Sequence, residues 1–185
     1  QFQGGLLLFA IIRSRLLGLL LALALPVLAT AETAPPFTVT TVGDFGNLTV
    51  MEVAGNYDST SPDGTANVEP RRAIAKEFYR THRDEFDFLV IFTNFDVKMP
   101  EHEALAFYTD VRNDVQGIGQ TIFDYSSLYG SAGTLQGTVD MGDLSGWGTD
   151  PLAGDGYDFT LDTLTHEIIH RWSAFVRFKD ETGAV

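Results

Sequence analysis

The stretch Thr160-Leu161-Asp162-Thr163-Leu164-Thr165-His166-Glu167-Ile168-Ile169-His170-Arg171-Trp172 decides how this chain is read. Leu161, Leu164, Ile168, Trp172 and Phe175 recur at three- and four-residue intervals, so the segment from Thr160 to about Phe178 is expected to be an amphipathic helix. Thr160 is placed to cap it and Asp162 to sit in its positive first turn. On such a helix His166 and His170 stand one turn apart on the same side and can offer imidazole nitrogens to one Zn²⁺. Glu167 lies about 100° round from His166, near the same point without coordinating. A carboxylate there can take a proton from water whose pKa zinc has lowered, and pass it to a leaving amine.

The rest of the composition narrows the chemistry. The 185 residues contain no cysteine, which excludes a disulfide framework, a thiolate metal site and a cysteine nucleophile, so any metal must use His and carboxylate. Hydrophobic residues make up 44% of the chain, with 14 Phe, 6 Tyr and 2 Trp, enough apolar material for a packed core. A formal net charge of −13 repels phosphate backbones and anionic lipid, so nucleic-acid binding is excluded as a function class.

Upstream of the helix the chain reads as mixed α and β. Phe37 to Val42 and Asn47 to Val53 alternate apolar and polar residues, which predicts two strands joined by the Gly43-Asp44-Phe45-Gly46 turn. Asn56 to Asn67 is a loop by composition. Glu69-Pro70-Arg71-Arg72 opens a helix that runs to His82, with Ile74, Phe78 and Tyr79 on its apolar face. Phe86 to Thr93 is nearly all apolar, as in a strand buried on both faces. Gly117 to Asp158 is the loosest region, within which Thr134 to Met141 alternates as an edge strand would.

The N-terminus has its own signature. Arg13-Ser14-Arg15, the apolar run Leu16 to Ala29 broken by Pro26, and Ala29-Thr30-Ala31 follow the basic, apolar, small order of an export signal, with cleavage expected after Ala31. The apolar run is shorter than the roughly 20 residues that cross a bilayer, so the expectation is a secreted or periplasmic protein with no stable membrane insertion. Two domains of unequal kind follow: residues 1–31 as upstream sequence and signal peptide, and 32–185 as the folded part, expected to continue past Val185.

With these residues in place, the chain resembles the zincin metallopeptidases, whose signature is a helical H-E-x-x-H. The resemblance covers about 20 residues around His166-Glu167-Ile168-Ile169-His170, plus the strand at 134–141, where zincins hold an extended peptide on a sheet edge. It implies an α+β fold, a zincin-like N-terminal catalytic subdomain with a twisted mixed sheet and an active-site helix. It also implies His166 and His170 as zinc ligands, Glu167 as general base, one catalytic Zn²⁺ and a polypeptide substrate. The metzincin branch needs Gly and His where this chain has Ser173 and Val176. The gluzincin branch needs a later Glu, and Asp180 and Glu181 stand too close, so the third ligand is expected beyond Val185.

Other polar residues have lesser roles. Asp162 is read as a helix-dipole partner, with a hydrogen bond to a ligand imidazole as the alternative. His82 and His102 are read as surface residues. Asp140, Asp143, Asp150, Asp155 and Asp158 are read as solvated loop carboxylates, with Ca²⁺ binding as the alternative. Gly117-Ile118-Gly119 lacks a dinucleotide fingerprint and Gly130-Ser131-Ala132-Gly133 lacks nucleophile-elbow spacing. The competing function class is a non-catalytic exported binding module, carried by the Gly-, Asp- and aromatic-rich stretch from Tyr125 to Phe159.

Overall fold

The computed structural model describes residues 37–61, 66–100 and 104–173. The expected signal segment, His102 and the helix beyond Ser173 lie outside the described residues. The architecture is mixed α+β, with small sheets and two α-helices among those residues. Among them no helix is long and apolar enough to cross a membrane.

Strands β1 (Thr38–Phe45) and β2 (Leu48–Ala54) form an antiparallel hairpin. Its two-residue turn is Gly46-Asn47, with Gly46 at φ 71°, so the connection lies at the end of the expected Gly43–Gly46 segment. Gly43 sits inside β1 instead, where the register shifts between Thr41 and Gly43. Such a shift is a strand irregularity that glycine tolerates, and in a bare sequence it reads the same as a turn.

Helix α1 (Glu69–Thr81) begins with Pro70 in its first turn, as expected, because a missing N–H is harmless there. It packs on the hairpin through Glu77, whose Oε1 accepts hydrogen bonds from the Thr41 amide at 3.2 Å and hydroxyl at 2.8 Å. Its most buried face differs from the expected Ile74 and Phe78 stripe, since Arg71 and Ala75 go inward. Phe78 lies against Phe86 and stacks on His82 at 4.1 Å. His82 is therefore a joint between α1 and the hairpin. Its Nδ1 lies 3.0 Å from the Phe78 carbonyl, and its Nε2 is 3.4 Å from both Thr49 Oγ1 and Asp44 Oδ1.

The central sheet has the order β3 (Phe88–Thr93), β7 (Gly137–Asp143), β4 (Phe107–Asp110). β3 runs parallel to β7 and β4 antiparallel, so the sheet is mixed. This reverses two expectations. The apolar run Phe88–Thr93 is an edge strand with Val90 and Phe92 exposed, whereas Gly137–Asp143, expected at the edge, is the buried centre. A centre strand has both backbone edges paired and cannot add an extended peptide. Gly137 has no side chain because the Tyr108 ring of β4 lies across it, 2.2 Å from where a Cβ would stand.

Two apolar clusters form the core, and β7 contributes to the second of them. Ala75 of α1 joins Val111, Tyr129 and Leu135, with Tyr79 and Leu89 against them. Val139 and Met141 join Ala106 in a second cluster, packed by Tyr108, Trp147 and two residues of the last helix, Leu164 and Ile168. Burying each large aliphatic side chain stabilises by about 1.5–3 kcal/mol, so this second cluster anchors that helix. Two short strands, β5 (Arg112–Asn113) and β6 (Phe123–Asp124), pair beside the sheet.

Asp140 turns from β7 toward α1. There it meets Arg71, with Nη2 to Oδ1 at 3.1 Å and Nε to Oδ2 at 3.2 Å, and its Oδ1 accepts a hydrogen bond from the Tyr57 hydroxyl. Both partners of the ion pair are about 1% exposed. Burial pushes the Asp140 carboxyl up, and the Arg71 guanidinium and Tyr57 hydroxyl pull against that. Asp140, read from the sequence as a solvated loop carboxylate, is instead a buried strand residue with both oxygens on Arg71.

Candidate metal centre

Helix α2 (Asp155–Ile169) starts one turn earlier than Thr160. The chain enters it through Gly154 at φ 69°, and Gly148 passes so close that a Cβ there would lie 2.4 Å from the Gly156 carbonyl carbon. That glycine crossing starts the helix, and Thr160, expected as the cap, is buried in its second turn. Its hydroxyl lies 2.9 Å from the Gly148 carbonyl and 3.0 Å from the Gly156 carbonyl. Asp155 and Asp158 occupy the positive first turn in place of Asp162. Asp162 is exposed and makes no side-chain hydrogen bond among the described residues.

Leu164 and Ile168 seat α2 on Val139 and Met141, as the apolar stripe predicts, while Leu161 and Trp172 stay 42% and 53% exposed. Trp172 meets Phe88 edge-on at 6.0 Å. Trp147 stacks on Phe159 at 5.8 Å, and its Nε1 donates to the Met141 carbonyl at 2.6 Å. The α-helix ends at Ile169 and continues as a 3-10 turn, His170–Trp172.

His166, Glu167 and His170 come together at this end, with one donor atom of each within 4.8 Å of the others. The imidazole rings are 5.0 Å apart and nearly perpendicular, and Glu167 Oε2 lies 3.9 Å from His170 Nε2. His166 is exposed and His170 half-buried, whereas Glu167 is 7% exposed. Two nitrogens at Zn–N distances of about 2.0–2.1 Å in a tetrahedral site stand roughly 3.3 Å apart. The separations here reach 4.8 Å, so the two imidazole nitrogens would have to approach one another to share an ion, with the Glu167 carboxylate beside them rather than in the coordination shell. Among the described residues this is the one cluster of three His, Cys, Asp or Glu able to hold a metal. Asp143 and Asp150 instead accept the Ser145 and Leu152 amides, at 3.0 and 2.8 Å, as local turn formers.

The sequence reading missed what lies behind the cluster. Arg171, next to His170, is 3% exposed. Its guanidinium donates to Gln136 Oε1 at 2.9 and 3.1 Å, Asn113 Oδ1 at 3.2 Å and Asp114 Oδ1 at 2.5 Å. That guanidinium, through its hydrogen bond, holds the Asp114 carboxyl below the usual range. A signal existed: Arg171 follows Leu164 by seven residues, so on the helix expected from the sequence it falls on the core-facing side, where a charge needs a buried partner.

Compared with known proteins, the chain matches no family model, no curated protein and no solved structure.

Proposed function

We propose that the protein is an exported zinc-dependent metallopeptidase, with His166 and His170 as metal ligands and Glu167 as general base. The observation that carries this reading is the convergence of the three donor groups within 4.8 Å, with the carboxylate sunk between two accessible imidazoles. Bound there, zinc supplies Lewis acidity toward a peptide carbonyl and makes water a nucleophile near neutral pH. His166 and His170 would each offer one ring nitrogen to the ion. Glu167 Oε2 receives the proton lost by the attacking water and delivers it to the departing amine, so the carboxylate ends the cycle ionised as it began.

The test is Glu167→Gln in the full chain. Zinc should remain bound near one equivalent, and hydrolysis of an unstructured polypeptide should fall by at least 100-fold. Retained hydrolysis would sink the assigned base, and a wild-type chain that binds no zinc would sink the whole reading. A second reading, a non-catalytic binding module, draws on the stacked pair Phe123 and Tyr125, 5.0 Å apart, with Tyr125 half-exposed. It gains if the wild-type chain binds no zinc and hydrolyses nothing.

A further inference from the structure

We propose that Arg171 is a positioning residue for this site, fixing the direction of the His170 imidazole by clamping the end of α2 to Asn113, Asp114 and Gln136. The inference rests on the metallopeptidase reading above and extends it to a residue that touches neither metal nor substrate.

His170 stands where α-helical hydrogen bonding gives way to a 3-10 turn, a position that frays unless something ties it down. Histidine ligands are ordinarily oriented by a carboxylate or carbonyl on their second nitrogen. Among the described residues neither His166 nor His170 makes such a hydrogen bond, so the direction in which the His170 Cα–Cβ bond leaves the helix end is left to the backbone. The next residue sets that backbone. Arg171 places four hydrogen bonds on three side chains, and each acceptor is held in turn. Asn113 Nδ2 donates to the Thr121 carbonyl at 2.8 Å, and Gln136 Nε2 to the Thr134 carbonyl at 3.0 Å. Asp114 Oδ2 pairs with Arg112 at 2.8 Å. Gln136 directly precedes β7, so the clamp ties the end of α2 to the entry of the central strand. A planar fork is needed to meet these acceptors at once, which a lysine ammonium cannot reproduce.

The experiment compares the same change at two buried guanidiniums. Zinc affinity of the full chain is measured by chelator competition, and ligand geometry by the visible absorption of the cobalt-loaded protein, for wild type, Arg171→Lys, Asp114→Asn and Arg71→Lys. Near-UV circular dichroism monitors the fold. Arg171→Lys should weaken zinc by about 10–100-fold and alter the cobalt spectrum. Asp114→Asn should do the same to a smaller degree, and Arg71→Lys should leave both unchanged. Wild-type affinity and spectrum in both Arg171→Lys and Asp114→Asn would overturn the inference. So would an equal loss in Arg71→Lys, since the effect would then be general destabilisation. If Arg171→Lys does not fold, Asp114→Asn decides the matter alone, because its half-exposed side chain can be exchanged without leaving a buried gap. A wild-type chain without zinc affinity overturns the metallopeptidase reading, and this inference falls with it.

Discussion

Arg71 and Arg171 are both nearly inaccessible guanidiniums at the central sheet, yet they sit in different electrostatic settings. Arg71 lies on the α1 side and faces Asp140, an equally buried carboxylate, so the pair is a closed ion pair inside the protein. Arg171 lies at the end of α2 and shares its charge among two amide oxygens and Asp114, whose side chain is 49% exposed and also paired with Arg112. In the first arrangement each charge has the other as its counter-charge, with the Tyr57 hydroxyl on Asp140 and backbone carbonyls on Arg71 as neutral partners. The second spreads one charge over partners that water or a neighbouring arginine can still satisfy. A buried ion pair is therefore expected to govern whether the sheet forms, and the looser clamp to govern how one helix end is aimed.

The largest effect should come from breaking the closed pair. Arg71→Met strands Asp140 without a counter-charge and should cost about 3–5 kcal/mol, read as a lower midpoint in urea unfolding. Arg71→Met with Asp140→Leu removes both charges and should recover most of that loss; no recovery would mean that Arg71 stabilises through its contacts with Tyr57 and the 57–58 backbone instead. Arg171→Met should cost less, about 1.5–3 kcal/mol, the range for hydrogen bonds to charged groups. A larger loss than at Arg71 would invert the comparison.

The smallest effect concerns acid. The paired Arg80 and the Thr41 donors lower the Glu77 pKa from 4.5 to about 2, and Arg171 also lowers that of Asp114. A depressed folded-state pKa adds stability that is complete above the unfolded value and is lost as pH falls through the folded one. For Glu77 that window runs from 4.5 down to about 2. Its Arg80 partner is largely exposed, and solvent screening of that pair keeps the contribution small. The intrinsic-rate-corrected protection of the Thr41 amide, bonded to Glu77, should fall over that window while the Val139 amide in β7 stays protected. A parallel fall at Val139 would show that the acid transition is global.

Legibility followed the same division. The hairpin, α1 and the helical His166-Glu167-Ile168-Ile169-His170 segment were readable because each rests on local pattern: alternation, an N-terminal proline and helical spacing. The sheet order was not. Phe88–Thr93 looks like the core because it is apolar, and Gly137–Asp143 looks peripheral because it contains two glycines and two aspartates. The centre position became tenable only because Arg71, 69 residues away in sequence, meets Asp140, and because Gly137 makes room for Tyr108. No window along the chain displays either fact.

By itself the sequence determined which side chains could meet a metal, because two histidines four apart on a helix need only helical geometry to share a side. It also excluded thiolate chemistry through the absence of cysteine. Tertiary structure decided where that helix begins, through the Gly148–Gly156 crossing, and what holds its end, through Arg171 and partners at 113, 114 and 136. The physical reason is range: helical phase is fixed within a few residues, whereas a buried charge is stabilised only by groups that folding brings from elsewhere.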